Sequence, residues 1–252
     1  SQWVERDDTV AVENKYDGSV VDEVSVAGPE DVADAIEAAN EATETMATMP
    51  AHERADILRT TSELVDERSE EFAQAMAKEA GKPIETARGE VQRAVGTFII
   101  AAGEAERLGG EEVPLDATPG NGNRVMFTKR FPKGVIGAIA PFNFPLNLVA
   151  HKLAPAVAGG NTVVLKPATT TPICSIKLAE TMFDAGLPRD ALNLVIGPGS
   201  TVGEALLDSG DIDHYTFTGS RGVGEYVKEK SGLASVSLEL GNNSPVIVHE
   251  DA

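Results

Sequence analysis

The chain has 252 residues, 42% of them hydrophobic and 24% charged, which suits a globular protein long enough to bury a substantial core. Its 40 acidic against 21 basic residues leave a net charge of −19, which argues against a nucleic-acid partner. The one cysteine, Cys174, excludes an internal disulfide framework, and no apolar run approaches the roughly 18 residues of a membrane span, so the expected setting is a reducing cytoplasm.

The acids are spread along helical stretches such as 51–79, which reads as a solvated acidic surface and not a disordered tail. Such a surface fits a high-salt interior, where screening weakens self-repulsion; an ordinary acidic surface is the alternative. Unfolding in dilute buffer with recovery in molar potassium chloride separates the two.

In chain order, Thr9–Val12 and Ser19–Val21 alternate as short strands. Gly28-Pro29-Glu30-Asp31 is a helix-start signal, with proline near the first helical position and acids in the first turn. Helical periodicity then runs to about Leu108, with one stripe in Val32, Ala35, Ile36 and Ala39 and another in Ile57, Leu58, Thr61 and Leu64. Gly81-Lys82-Pro83 ends one helix, and a further helix is predicted over about 84–107. Residues 1–110 are thus expected to form strands and a helical layer.

After Gly109-Gly110 a strand is predicted over 123–131, a turn at 132–134 and a buried strand over 135–140. Strands 162–166, 192–196, 213–218 and 234–240 then alternate with helices 172–185, 200–209 and 220–230, before a last strand at 245–248. This alternation predicts βαβ units, right-handed crossovers and a doubly wound parallel sheet across 134–252, an α/β fold.

Ligands of an open parallel sheet bind at the carboxyl ends of its strands, so the residues after each strand carry the chemistry. The five exits are Pro141-Phe142-Asn143-Phe144-Pro145, Lys166-Pro167-Ala168-Thr169, Gly197-Pro198-Gly199, Gly219-Ser220 and Glu239-Leu240-Gly241. The two strand–glycine–helix junctions permit close backbone approach and offer unpaired N–H groups to a phosphate, or are simply tight turns. Their spacing is not the usual G-x-G-x-x-G fingerprint. Lys166 reads either as a charge protecting a sheet edge or as a donor to ribose hydroxyls or phosphate. Asn143 is either a turn residue or an oxyanion donor. Glu239 shares a strand face with Ser235 and Ser237, and is either a solvated carboxylate or a general base for water. Cys174 reads as a small buried hydrophobe and not a reactive thiol. The four histidines show no ligand spacing, so no metal site is expected.

The strings Pro141-Phe142-Asn143-Phe144-Pro145, Lys166-Pro167-Ala168, Phe217-Thr218-Gly219-Ser220 and Leu238-Glu239-Leu240-Gly241 together resemble the aldehyde dehydrogenase superfamily, in order and spacing, over most of the chain. Phe142, where many members have Trp, resembles the branch of lactaldehyde and non-phosphorylating glyceraldehyde-3-phosphate dehydrogenases. The resemblance implies a Rossmann-like cofactor-binding domain preceded by helices, with part of an oligomerisation hairpin at 123–140. It implies NAD or NADP as cofactor, an aldehyde as substrate and a homo-oligomeric enzyme. By position, Asn143 would be the oxyanion amide, Glu239 the general base and Lys152 a lysine that some members use in a charge relay. Cofactor contacts would come from Ile139, Ala140, Pro141 and Phe142 after one strand, and from Lys166, Ala168 and Thr169 after the next. Gly199, Gly219, Ser220 and Val223 would line the adenine and pyrophosphate, with the Leu240 backbone on the nicotinamide side and further cofactor contacts from Gly203, Phe217, Thr218 and Gly241. The family reaction begins with thiolate attack on the aldehyde, passes hydride to the nucleotide, and ends with hydrolysis of a thioester.

Three departures qualify the match. The family's catalytic cysteine lies beyond the matching glutamate, and no cysteine follows Glu239 here, so the chain is expected to be a truncated part of the enzyme. Thr169 stands where strict NAD users carry a glutamate that would repel a 2′-phosphate, so NADP is expected to be tolerated or preferred. Asn242 replaces a common glycine without an evident reason. The alternative is a non-catalytic dinucleotide-binding module that lacks the thiol. An acylating branch, passing the thioester to coenzyme A or phosphate, is disfavoured by Glu239.

Overall fold

Strands β1 (Thr9–Glu13) and β2 (Val20–Ser25) pair antiparallel near the start of the chain, where the alternating residues placed them. The structure, a computed structural model, describes residues 3–251. Helix α1 (Pro29–Glu41) starts at the expected signal: the Gly28 N–H donates to the Asp31 carboxylate at 2.8 Å, and Pro29 sits where its missing donor costs nothing. Helices α2 (Thr43–Thr48), α3 (Ala51–Glu67), α4 (Ser69–Ala80) and α5 (Ile84–Arg107) complete the helical layer, with α5 packed along α3 and α4.

Five parallel strands form the sheet: β5 (Val135–Ile139), β6 (Thr162–Lys166), β7 (Leu192–Leu194), β8 (His214–Thr218) and β9 (Ser235–Glu239). Their order is β7-β6-β5-β8-β9. The chain therefore enters at the middle, winds outward through α6 (Asn147–Ala158) and α7 (Ile173–Asp184), then crosses back past α8 (Glu204–Asp208) and α9 (Arg221–Lys230) to the other side. This is the doubly wound α/β arrangement the alternation predicted, and strand order reverses between β5 and β8.

Side chains of β6 alternate between two cores, as the pleat requires. Val163 and Leu165 join Leu58, Phe72, Phe98, Leu153 and Leu178 beneath the helical layer, whereas Val164 joins Val32, Ile36, Leu206 and Tyr215 on the opposite face. At the start of β5, Gly134 has φ +120°, and a Cβ there would fall 2.1 Å from the Asp213 carboxylate. Only glycine fits, and Asp213 accepts the Val135 N–H at 2.9 Å.

The structure corrects several boundaries. The helical stretch 51–79 is two helices: the backbone breaks at Arg68 (ψ 16°), whose guanidinium donates to Thr181 (3.1 Å) and Asp184 (2.6 Å) on α7. Periodicity cannot see that break, because both halves bury the same stripe. The strand expected over 123–131 shrinks to β4 (Met126–Phe127), and it pairs with β3 (Glu112–Val113) and not with the strand that follows it. The two strands of 123–140 thus do not form a hairpin with each other, since β5 is drawn into the parallel sheet. Helix 200–209 begins as a π-helical turn over Gly199–Gly203 before α8. Strand 245–248 is not formed; Val246, Ile247 and Val248 are exposed and have no neighbouring strand among the described residues.

Candidate functional site

The carboxyl ends of β6, β5, β8 and β9 lie side by side by register. Ile139 is level with Lys166 on one flank and Phe217 on the other, and Thr218 is level with Glu239. Backbone bonds continue this alignment past the strands, from the Ala140 N–H to the Lys166 carbonyl (3.1 Å) and from the Gly219 N–H to the Glu239 carbonyl (3.0 Å). The predicted exits therefore share one edge, centred on the point where strand order reverses.

Lys166 ends an interior strand, so the reading of it as an edge charge fails: β7 and β5 flank it and it is 7% exposed. Its ammonium donates to the Pro167 carbonyl (3.3 Å), and its stem passes Gly203. Burial pushes its pKa below the usual lysine value. Beside it, Thr169 donates its hydroxyl to the Gly197 carbonyl (2.7 Å), linking the loops after β6 and β7. Ala168 is half-buried in the same loop, and Gly199 opens the π turn beyond.

Lys152, on α6, reaches under the sheet end. Its ammonium donates to Thr218 (2.9 Å) and Thr216 (3.3 Å) and is 4% exposed overall. Burial lowers its pKa to about 8, against the opposing pull of the Glu239 carboxylate. Glu239 itself is exposed, as are Leu240 and Gly241 after it. Close packing shapes this end: a Cβ on Gly219 would lie 2.5 Å from the Phe217 ring, and one on Gly224 would meet Leu240 at 2.4 Å. Ser220 caps α9, its hydroxyl accepting the Val223 N–H at 3.5 Å.

Between β5 and α6 runs the turn Pro141–Pro145, with Phe142 and Asn143 exposed and Phe144 half-buried. The shelf formed by this turn and the strand ends is open. A cavity of about 440 Å³ lies elsewhere, between β2, α1 and the edge of β7. That cavity is lined by Arg6, Asp22, Asp31 and Arg189 as well as by apolar side chains, and none of Asn143, Lys152, Lys166 and Glu239 borders it.

Two buried carboxylates and a lysine escaped the sequence reading. Glu79 accepts the Ile173 and Cys174 N–H groups at 2.7 and 2.9 Å, which caps α7. Glu90 accepts those of Leu146 and Asn147 at 3.1 and 3.0 Å, caps α6, and is paired with Lys82. The available signal was an acid on each helix's apolar stripe: Glu90 follows Ala87 by three and precedes Ala94 by four. Cys174 is fully buried, and burial drives its thiol pKa well up, as a packing residue requires.

A family model described as "Aldehyde dehydrogenase family" matches residues 3–252. A 3-sulfolactaldehyde dehydrogenase of Priestia aryabhattai is 49% identical over all of the chain and 52% of its own length. A lactaldehyde dehydrogenase of Methanocaldococcus jannaschii is 38% identical, again over the whole chain and 54% of its own length. Among solved structures, a glyceraldehyde-3-phosphate dehydrogenase of Methanocaldococcus jannaschii complexed with NADP superimposes with a TM-score of 0.89 at 38% identity, covering 95% of this chain and 52% of that one. An NADP-dependent glyceraldehyde-3-phosphate dehydrogenase of Bacillus halodurans gives 0.92 at 38% identity, covering 95% and 51%. The chain spans about half the length of the curated relatives it matches. On this match across its length, the chain belongs to the aldehyde dehydrogenase family.

Proposed function

We propose that this chain is the cofactor-binding part of an NAD(P)-dependent enzyme that oxidises an aldehyde to a carboxylic acid through a cysteine thioester. The observation that carries this reading is the register of Lys166, Ile139, Phe217, Thr218 and Glu239 along one sheet edge. The residues fit the nucleotide. A desolvated ammonium at Lys166, with a carbonyl as partner and no carboxylate hydrogen-bonded to it among the described residues, suits a ribose hydroxyl or phosphate. Ala168 and Thr169 would border the ribose, and Thr169 brings no charge to repel a 2′-phosphate, so NADP is accepted. Gly199, Gly203, Phe217, Gly219, Ser220 and Val223 would line the adenine and pyrophosphate, with the capped start of α9 facing them. Ile139, Ala140, Pro141 and Phe142, with Leu240 and Gly241, would border the nicotinamide, which when bound accepts a hydride.

In this reading the Asn143 amide donates to the oxygen that gains charge as the carbonyl is attacked. Glu239, exposed and on the shelf, takes a proton from the water that releases the acid. Lys152, poised near neutrality, holds Thr218 and offsets the charge of Glu239. The attacking thiol is not Cys174, which is sealed in the core. Exposed Val125, Phe127 and Phe131 suit burial against a second copy.

Calorimetric titration of the chain with NADP⁺ and NAD⁺ tests the cofactor reading: saturable binding, with NADP⁺ at least as tight, is expected. Binding of neither would overturn it, and NAD⁺ much the tighter would overturn the Thr169 argument. Glu239→Gln, in the enzyme carrying the thiol, should stall thioester hydrolysis; undiminished steady-state turnover would remove the assigned base.

A further inference from the structure

The turn Pro141–Pro145 is exposed at Phe142 and Asn143, and an exposed asparagine on a turn samples many orientations unless something outside the turn restrains it. The restraint visible here comes from α5 and the Gly81–Pro83 link. One oxygen of the fully buried Glu90 carboxylate accepts both the Leu146 and Asn147 N–H groups, the donors that open α6 and immediately follow the turn. The other oxygen is paired with the Lys82 ammonium. That ammonium lies 3.7 Å from the centroid of the Phe144 ring, next in sequence to Asn143, and the Arg93 guanidinium lies farther off at 5.6 Å. Thr97, also on α5, donates to the Asn147 side-chain oxygen at 3.4 Å. Two adjoining groups, Lys82 from the Gly81–Pro83 link and Glu90 from α5, thus grip the turn at Phe144 and again at its exit.

We propose that Glu90 and Lys82 are positioning residues that hold the Pro141–Pro145 turn, and with it the Asn143 amide, in one orientation. This rests on the oxyanion role of Asn143. An oxyanion donor works by being aimed before charge develops, so the rigidity of its turn is part of its effect. A carboxylate suits the task better than a neutral acceptor, because it satisfies two helix donors and still binds a cation that reaches the ring.

Glu79 supplies the contrast. It caps α7 in the same manner, but the loop before α7 has a second tether in the Thr169–Gly197 bond, and neither grips the Asn143 turn. Loss of Glu79 should therefore lower stability without moving Asn143.

The test follows amide hydrogen exchange at Leu146 and Asn147, and the side-chain NH₂ signals of Asn143 in ¹⁵N spectra, on the 252-residue chain. In Glu90→Leu combined with Lys82→Met, which leaves no unpaired buried charge, exchange at both amides should rise about tenfold. The two Asn143 signals should lose their dispersion. Glu90→Gln with Lys82→Met keeps an acceptor for the amides and should restore their protection but not the Asn143 dispersion, because Phe144 has lost its cation. Glu79→Leu should leave all of these signals in place. Unchanged Asn143 signals in the Leu/Met pair, or equal changes in Glu79→Leu, would overturn the proposal. Should the Leu/Met pair fail to fold, Lys82→Met alone decides: Asn143 signals identical to the parent's refute it. Asn143→Ala in the thiol-bearing enzyme separates the underlying reading, since full turnover there removes the oxyanion role while the measurements on the turn stand.

Discussion

Strands β6 and β9 are both five residues long and both end in a charged residue, yet every residue of β6 is buried and none of β9 is. β6 has a strand on each side and helices over each face, whereas among the described residues β9 pairs with β8 alone and has α9 as its one helix in substantial contact. The consequence falls on the terminal charges. Lys166 is held out of water by its neighbours, while Glu239 remains exposed to solvent. Position in the sheet, more than local sequence, decides what a strand-end charge can do.

The largest expected difference is in packing. Leu165→Ala should destabilise the chain by about 2–5 kcal/mol, whereas Leu238→Ala should cost under about 1 kcal/mol, measured by urea unfolding. Equal losses would show that β9 is as well covered as β6. Next comes nucleotide affinity: Lys166→Met should weaken NADP⁺ binding about tenfold, some 1.4 kcal/mol, and Glu239→Gln less than about twofold. A large loss in the second variant would place cofactor binding across both regions.

A smaller effect concerns Lys152, which spans the two regions from α6 to the β8–β9 end. Its folded pKa of about 8 lies below the roughly 10.4 of an unfolded chain, so between these values the unfolded chain binds more protons. Stability from this group therefore rises as pH increases from about 8 to about 10, and the penalty is fully present below 8. The difference between parent and Lys152→Met should show that slope, and no slope would mean that the amine is solvated. Smallest is Ser220→Ala, which removes the α9 cap beside β9 and should cost about 0.5–1 kcal/mol by thermal unfolding.

Much of this fold was legible in the residues. Apolar strands predicted at 135–140 and 162–166, followed by strands alternating with helices predicted at 172–185 and 220–230, leave few options besides a parallel sheet. The candidate site was legible too, because a parallel sheet delivers all its strand exits to one edge. Less visible were Glu79 and Glu90, since an acid on an apolar stripe looks like noise until the helix ends it caps are seen. Residues 245–248 form no strand, because alternation describes a strand's faces and says nothing of whether a neighbour exists.

What the amino-acid order determined by itself was class and periodicity: which residues face inward, where helices start, and which polar side chains follow each strand. Those properties are local, set by backbone sterics and by a repeat of 2 or 3.6 residues. The tertiary structure alone decided that Lys166 is interior and Glu239 peripheral, that Met126–Phe127 pairs with Glu112–Val113, and that Glu90 reaches the turn carrying Asn143. Each of these depends on which element covers another across dozens of residues, and a periodic pattern names the buried face without naming what buries it.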